Sequence, residues 1–157
     1  MKNIEKHLKQ LGTNKVMISV SYDDSASGIP CCCRGCKALE EKYKTPGGAL
    51  FEYLLELGEK FRKTHPDTRI STLLYRTSQT QKPPVLANGK KFPDNLWFYF
   101  ASIHDFTNRN WDHPDNKPNY EDLKAWNKLT DNIIVWMYYP HYGQAAFMPI
   151  AADSILV

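Results

Sequence analysis

The sequence predicts an α/β fold built mostly of parallel β/α units, and three observations support this class. Apolar segments rich in β-branched and aromatic residues alternate with amphipathic helical segments along the 157-residue chain. These apolar segments are hydrophobic nearly throughout, which is typical of strands in a sheet covered on both faces. The connections after the predicted strands are long and polar, whereas those before them are short. This asymmetry predicts a site beyond the carboxyl ends of the strands.

The predicted elements follow the order α-β-α-β-β-α-β. The strands cover residues 15–21, 69–75, 95–103 and 132–139, and the helices cover residues 2–11, 48–63 and 119–129, with a short helical piece at 37–44. The first helix is followed by Gly12, which suits a left-handed C-cap. The second carries Leu50, Leu54 and Leu57 at helical spacing. The third begins with Asn119 as its N-cap, followed by acidic residues that the helix dipole favours.

The number of strands predicts how much of a fold the chain contains. Four parallel strands are half of a (β/α)8 barrel, which typically takes ~250 residues. We therefore expect residues 1–157 to form a single domain that is about half of such a barrel, as a fragment of a larger protein. The alternative is a complete small α/β domain that pairs with a second copy, because exposed edge strands favour association. An isolated half barrel would self-associate for the same reason.

Composition narrows the function classes. The hydrophobic fraction of 42% and the charged fraction of 24% are those of a globular protein. The net charge of +3, from 20 basic and 17 acidic residues, is too small to predict a nucleic-acid partner. No apolar run predicts a membrane span, and the charged, helical start lacks a signal-peptide pattern. The glycine-rich nucleotide-binding motifs and the G-x-S-x-G motif of serine hydrolases are absent from the sequence.

Acidic residues follow the first and third predicted strands. Asp23 and Asp24 come just after the first strand, and neighbouring carboxylates can divide the roles of ionised and protonated acid that glycoside hydrolysis uses. The alternative is a turn built on Asx hydrogen bonds. After the third strand, His104 and Asp105 can act as an acid/base pair or as ligands, although a lone histidine near a strand end is more often simply hydrogen-bonded.

Aromatic and basic residues lie at the end of the second strand and along and just after the fourth. Together they predict an aromatic-walled cleft with polar tips, which is how many ligand pockets are built. In this cleft Arg76 would hold a carboxylate through paired hydrogen bonds. Half of the side chains must point into the core under any fold. The predicted substrate-binding residues are Tyr75, Arg76, His104, Trp136, Tyr138 and His141.

All four cysteines, Cys31, Cys32, Cys33 and Cys36, lie in one polar segment. Three of them form a C-x-C-x-x-C pattern, in which Cys31, Cys33 and Cys36 can converge on one Zn²⁺ ion. Candidates for a fourth ligand are His104, His113, His141 and Asp24. A strong zinc motif would contain a second C-x-x-C pair, so one disulfide with spare thiols, or reduced cysteines packed in the loop, are alternatives. A redox C-x-x-C is disfavoured because it normally opens a helix directly after a strand.

Several stretches share their pattern with one family. The stretch ISVSYDDSASGIPCCCRGCKALEEKYKTPGGAL is similar to S-V-S-x-x-D-x-x-x-x-C-x-C-x-x-C-K-A-L-D-x-x-x-x-x-S-G-(S/A)-L, and HPDTRISTLLYRTSQTQKPP is similar to Y-P-D-x-x-I-x-T-x-A-Y-x-x-x-x-x-P-P. The segments FASIHDF, YEDLKAWNKLTDNIIVWMYY and MPIAADSIL follow in the same order. In these segments the chain resembles the bacterial DUF4838 family. The C-x-C-x-x-C-K-A-L stretch is the most distinctive part of the resemblance.

The resemblance implies a fold, a ligand class and a location. Members of the family are large proteins similar to glycoside hydrolases and, distantly, to α-glucuronidases. This implies a (β/α)8 barrel, a carbohydrate ligand and, in many members, export from a bacterium to the periplasm or cell surface. Residue by residue, Cys31, Cys33 and Cys36 match the family cysteines, and Asp24 matches the acid after the first strand here.

Two departures from the family pattern affect the expected chemistry. His104 stands where the family often has Glu, and Met137 stands where it often has Asp. We therefore expect a glycoside-hydrolase-like protein that hydrolyses or binds a glycan, such as one containing uronic acid. If it is an enzyme, Asp24 is the first candidate acid/base, and Asp23 and Asp105 are the second. The alternatives are a non-catalytic carbohydrate-binding or structural module, and a cysteine-metal interaction module.

Overall fold

The computed structural model describes residues 1–13, 15–23, 31–101 and 109–136, and in them a mixed α/β chain with one four-stranded sheet. The helices are α1 (Lys2–Leu11), α2 (Arg34–Tyr43), α3 (Gly48–Thr64) and α4 (Lys117–Asn127). The strands are β1 (Met17–Ser19), β2 (Arg69–Leu74), β3 (Leu96–Ala101) and β4 (Ile133–Trp136). A π-helical turn (Arg76–Thr80) and a 3₁₀ turn (Ala87–Gly89) connect β2 to β3. The α/β class predicted from the sequence is confirmed.

The sheet is parallel throughout, and its strands follow the order β1-β2-β3-β4. The register places Ile18 beside Ile70, Ile70 beside Leu96, and Phe98 beside Ile133. Because all strands run the same way, their carboxyl ends lie along one edge of the sheet, called the carboxyl edge below. Their amino ends lie along the opposite edge, called the amino edge. The predicted parallel β/α arrangement is thus observed.

The hydrophobic core lies on one face of the sheet, where α1, α3 and α4 pack. Alternate residues of β2 and β3 point into it, and Phe98 has no exposed surface. The ring of Trp126 on α4 lies 5.1 Å from that of Phe98 and 5.4 Å from that of Phe51 on α3. α1 adds Leu8 to the same cluster. Each such buried side chain contributes about 1.5–3 kcal/mol, so this face carries most of the stability.

The opposite face of the sheet is less well covered. Trp97 and Tyr99 of β3 are only half-buried, while Met17 of β1 is 44% exposed and Trp136 of β4 is 50% exposed. Apolar side chains occupy both faces, as the sequence indicates, because the strands are hydrophobic nearly throughout. That pattern predicted a sheet covered on both faces. In the part of the chain that the structure describes, only one face is fully covered.

Buried hydrogen bonds anchor the connection between β2 and β3. The indole N–H of Trp126 donates to the carbonyl oxygen of Gln81 at 2.7 Å, and the amide of Gln81 donates to Asn119 Oδ1 at 2.5 Å. On the other side, the hydroxyl of Thr45 donates to the carbonyl oxygen of Lys82 at 2.9 Å. These bonds satisfy buried polar groups that would otherwise each cost about 1–3 kcal/mol. They connect the segment to α4 and to the turn between α2 and α3.

The boundaries of several elements differ from the prediction. α2 begins at Arg34 instead of residue 37, because the cysteine segment supplies its N-cap. α4 begins at Lys117 with Asn116 as N-cap, not Asn119, since the proline in its first turn needs no hydrogen-bond donor there. β1 is limited to Met17–Ser19, although one more backbone hydrogen bond to β2 follows it.

Candidate functional site

The carboxyl edge receives Asp23 from the segment that follows β1. Two hydrogen bonds hold this segment against β2: the Val20 N–H donates to the Ser71 carbonyl oxygen at 2.8 Å, and the Leu73 N–H donates to Ser21 Oγ at 3.0 Å. Asp23 follows directly and is exposed. The predicted carboxylate therefore reaches solvent at the edge of the sheet.

The end of β2 presents Tyr75 and Arg76 at the same edge. The guanidinium carbon of Arg76 lies 5.1 Å from the centroid of the Tyr75 ring, which is within range of a cation–π contact. Thr80 closes the π-helical turn over this pair, since its hydroxyl oxygen accepts from the Tyr75 N–H at 2.9 Å and donates to the Leu73 carbonyl oxygen at 2.8 Å.

The backbone of Arg76 is strained. Its φ of 56° lies in the left-handed region, which is uncommon for a residue with a Cβ atom. Such a conformation costs of order 1–3 kcal/mol and persists where the surrounding contacts impose it. Strained residues and single π-helical turns are both enriched at functional sites. Both features occur here at the predicted site residue.

The end of β4 contributes Trp136. Its ring lies 6.4 Å from that of Tyr99 with an interplanar angle of 73°, an edge-to-face contact across β3 and β4. The ring is half-exposed, and its backbone pairs with Ala101, the last residue of β3. A large aromatic surface is therefore available to a ligand at the carboxyl edge.

The structure thus brings four of the predicted site residues to one edge of the sheet: Asp23, Tyr75, Arg76 and Trp136. With neighbouring strands ~4.8 Å apart, the edge from β1 to β4 is about 14 Å wide. The other predicted site residues, Asp24, His104, Asp105, Tyr138 and His141, lie outside the described residues.

Two aromatic residues close to these groups are absent from the sequence-based prediction. Tyr99 contacts Trp136 and donates its hydroxyl proton to Met17 Sδ at 3.6 Å. Tyr22 lies beside the cysteines, and burial raises the pKa of its hydroxyl, against the opposing effect of a hydrogen bond with the Leu50 backbone; Cys36 and Cys31 add to the rise. The period of two along β3 is the signal that would have separated Tyr99 from the core residues around it.

The cysteines form a second cluster next to the first. The Sγ atoms of Cys31, Cys33 and Cys36, called the thiol tripod below, all lie within 4.8 Å of one another. Cys31 and Cys33 are exposed, and Cys36 is half-buried in the first turn of α2. The C-x-x-C pair therefore opens a helix, which the sequence did not predict. Cys32, although adjacent, does not belong to the tripod.

The helix N-terminus differentiates the thiols. Cys33 is the N-cap of α2, and its Sγ accepts a hydrogen bond from the Cys36 backbone N–H at 3.5 Å. This bond, together with those from the Cys31 and Cys36 side chains, lowers the pKa of the Cys33 thiol to about 7. The side-chain hydrogen bond to Cys33 raises the pKa of the Cys36 thiol to about 11. Of these two thiols, Cys33 therefore loses its proton first, and as a thiolate it accepts hydrogen bonds from its neighbours.

His113 does not belong to the thiol tripod. His113, a predicted fourth ligand, lies in the turn before α4. Its Nδ1 accepts a hydrogen bond from the Asp115 N–H at 3.3 Å. Among the described residues, the cluster of metal-binding groups that includes the cysteines contains these three thiols alone.

An open groove of about 620 Å³ lies away from the carboxyl edge. Its walls are α2, α3 and the segment before β3, and they combine the exposed Val85 with Glu56, Glu59, Lys90 and Lys91. Because its lining mixes acidic, basic and apolar side chains, the groove indicates no particular ligand. The carboxyl edge remains the better candidate site.

The fold and site define an α/β protein with a parallel sheet, an aromatic and basic carboxyl edge, and a neighbouring thiol cluster. The chain belongs to the family described as Domain of unknown function (DUF4838), whose family model matches residues 1–152. The family predicted from the cysteine and strand motifs is thereby confirmed. No curated protein and no solved structure matches the chain. Among the residues that the structure describes, no helix has both the length and the apolar character needed to cross a bilayer.

Proposed function

We propose that the chain is part of a glycoside-hydrolase-like protein that binds a glycan at the carboxyl edge of its sheet. The observation that carries this proposal is that Tyr75, Arg76 and Trp136 lie at the carboxyl ends of β2 and β4, two parallel strands separated only by β3. Exposed aromatic rings bind the apolar faces of sugar rings, and a guanidinium binds hydroxyl or carboxylate oxygens. In parallel α/β sheets, ligands bind at this edge.

We further propose that the four strands belong to a (β/α)8 barrel, as the family resemblance implies. Two features support this architecture over a doubly wound sheet. The spatial order β1-β2-β3-β4 equals the chain order, whereas a doubly wound sheet reverses direction at a switch point. In addition, α1, α3 and α4 share one hydrophobic cluster and hence one face of the sheet. Helices of a doubly wound sheet cover both faces.

The less covered face of the sheet is consistent with the inside of a barrel. Its residues Trp97 and Tyr99 alternate with the core residues of β3, as inward and outward positions do in a barrel. The indole Nε1 of Trp97 is buried without a hydrogen-bond partner among the described residues. Further strands of a barrel would cover this face and supply polar partners.

The test of glycan binding uses a matched pair of charge substitutions. Arg76 lies at the carboxyl edge, whereas Lys91 lies at the amino edge, 3.2 Å from Asp131. We expect Arg76→Gln to weaken binding about tenfold or more, because a charge-assisted hydrogen bond contributes about 1.5–3 kcal/mol. Lys91→Gln removes the same charge at the other edge and should leave the affinity unchanged. Calorimetry with neutral and uronic-acid-containing oligosaccharides measures both.

The outcomes separate the site from general electrostatics. If Trp136→Ala also weakens binding and Arg76→Gln acts more strongly on the acidic glycans, the carboxyl edge is the binding site. Equal losses in Arg76→Gln and Lys91→Gln, or no binding of any glycan, would contradict the proposal.

Catalysis is a separate question from binding. Asp24, which matches the acid after the first strand in the family pattern, is the first candidate acid/base, with Asp23 and Asp105 as alternatives. A hydrolytic protein should release reducing ends from at least one bound glycan, and Asp24→Asn should abolish this while the affinity stays within about twofold, because a carboxylate and an amide have nearly the same shape. A protein that binds glycans but releases no product with any of them would be the non-catalytic module instead.

A further inference from the structure

The thiol tripod is a preformed arrangement of three soft ligands. The Sγ atoms of Cys31, Cys33 and Cys36 lie within 4.8 Å of one another, although the residues span only one short stretch of chain. In tetrahedral zinc sites, Zn–S bonds of ~2.3 Å separate the sulfur atoms by about 3.8 Å. The thiols therefore need to move by only about 1 Å or less to bind a single ion.

The local backbone explains why the three thiols converge. Cys33 caps α2, so its side chain turns back over the first helical turn. Cys36 lies in that turn, and helical side chains point towards the N-terminus of their helix. Cys31 precedes the cap and completes the group. Cys32 is exposed and outside the tripod, which distinguishes it from its neighbours.

We propose that the thiol tripod binds one Zn²⁺ ion through the three sulfur atoms, with solvent in the fourth position. Cys31 and Cys33 are exposed, so a water molecule can reach the ion. Three protein ligands plus an open position is the composition of zinc sites that exchange a ligand. The backbone N–H groups of the first turn of α2, among them that of Cys36, which donates to Cys33 Sγ, compensate the negative charge of the bound thiolates.

The geometry favours one ion over the alternatives that also use cysteine. An iron–sulfur cluster usually takes four cysteine ligands distributed over two or more iron atoms, whereas three thiols converge on one point here. A disulfide would join only two of the thiols and leave the third without a role, although all three converge. Soft thiolate ligands select zinc and copper(I) over hard cations such as Mg²⁺ and Ca²⁺.

A bound zinc ion would stabilise only the structure at the start of α2. All three ligands lie at the start of α2, so the ion connects no distant elements. The core on the helix-covered face involves none of these residues. The protein should therefore stay folded without metal, unlike small zinc domains that unfold when the ion is removed.

The experiment is a metal titration of the full chain, fully reduced and without glycan. Co²⁺ serves as the spectroscopic probe, and Zn²⁺ is then added to displace it. We expect one equivalent of Co²⁺ to produce sulfur-to-cobalt charge-transfer absorption, and one equivalent of Zn²⁺ to remove it. Cys31→Ser, Cys33→Ser and Cys36→Ser should each weaken binding by at least about 100-fold, since each removes a direct ligand.

The control is the neighbouring cysteine. Cys32→Ser changes the same chemical group in the same segment and should leave the affinity and the spectrum unchanged. Circular dichroism of all four variants should match that of the unmodified protein, because the ligands lie outside the core. Less than one equivalent of bound metal, or an equal loss of affinity in Cys32→Ser, overturns the proposal. The readout contains no glycan, so this proposal and the glycan proposal fail independently.

Discussion

At the scale of single residues, the surroundings shift the pKa values of two neighbouring acids of α4 in opposite directions. Asp122 is half-buried, and desolvation raises the pKa of its carboxyl, with Lys82 opposing the shift. Its neighbour Glu121 is exposed, and the hydrogen bond from Lys124 at 2.7 Å lowers the pKa of its carboxyl. The charged form of Asp122 is therefore unfavourable in the folded state, whereas that of Glu121 is favourable.

The first stability prediction concerns Asp122. The pKa of Asp122 is higher in the folded than in the unfolded state. The contribution of this carboxyl to stability is therefore lost as the pH rises through its folded-state pKa. Asp122→Asn should remove this penalty at pH 7 and stabilise the protein by up to about 0.5 kcal/mol, which raises the melting temperature by about 1–2 °C. Below pH ~3.9, where the carboxyl is protonated in both states, the gain should disappear.

The matched control is Glu121→Gln. A carboxyl whose folded-state pKa is lowered contributes stability at pH values above its unfolded-state pKa. This contribution is lost as the pH falls through the folded-state pKa. This variant should therefore be unchanged or slightly less stable at pH 7. Thermal melts of the two variants at pH 7 and pH 3 give the comparison. A gain in Asp122→Asn that persists at pH 3 would show that its origin is not the carboxyl charge.

At the scale of elements, α2 and α3 pack closely where α3 begins. A Cβ atom on Gly48 would lie 2.6 Å from the Leu39 carbonyl carbon and 2.9 Å from the Glu40 amide nitrogen. Both are backbone atoms and cannot rotate away. The turn between the helices is held by Thr45, whose N–H donates to the Glu40 carbonyl oxygen at 3.3 Å. The absence of a side chain at Gly48 is therefore a condition for this crossing.

The second stability prediction compares two helical glycines. Gly48→Ala should destabilise the protein by about 1–3 kcal/mol, because the helices must separate to admit the methyl group. Gly35→Ala in α2 places its Cβ where no atom lies within 4 Å. That variant should gain about 0.5 kcal/mol through the reduced freedom of the unfolded chain. Urea denaturation measures both changes. A similar effect at the two positions would contradict the proposed clash.

At the scale of the whole molecule, a buried polar connection through Trp126 joins the β2–β3 segment to α4. Trp126 packs against Phe51 and Phe98 and also donates a hydrogen bond to the Gln81 carbonyl oxygen. The same ring thus belongs to the core and fixes the segment that follows Arg76. Through this segment, the core restrains the strained end of β2 at the carboxyl edge.

The third stability prediction tests this connection. Trp126→Phe keeps an aromatic ring but leaves the Gln81 carbonyl oxygen unpaired, so it should cost about 1–3 kcal/mol or more. Trp136→Phe makes the same substitution at a half-exposed ring and should change the stability by less than about 0.5 kcal/mol. Urea denaturation of the two variants checks the difference. Equal costs would show that the hydrogen bond to Gln81 does not contribute.

Much of the fold could be predicted from local patterns. The continuous apolar segments of β2 and β3 and the leucine stripe of α3 predicted the right element types, because periodicity reports burial directly. The ends were less predictable. Cys33 as an N-cap and the left-handed φ of Arg76 depend on hydrogen bonds from the adjoining turn, which sequence periodicity does not contain.

The candidate site was predicted only as a set of residues at strand ends. The sequence grouped Tyr75, Arg76 and Trp136 because parallel strands end at one edge. Tyr99 was missed, since a strand apolar on both faces hides which residues point away from the core. The convergence of Cys31, Cys33 and Cys36 was also open, because spacing alone permits a disulfide or separate thiols as well as a tripod.

The sequence by itself determined the α/β class, the order of the elements, the family, and the position of Asp23 and the cysteines after the first strand. These follow from periodicity, turn residues and short motifs, which are local properties of the chain. Tertiary structure alone decided that the strands lie in the order β1-β2-β3-β4 with the helices sharing one core, and that three of the four thiols converge. The reason is that strand pairing and side-chain convergence depend on contacts between residues distant in sequence or on the direction of a helical turn.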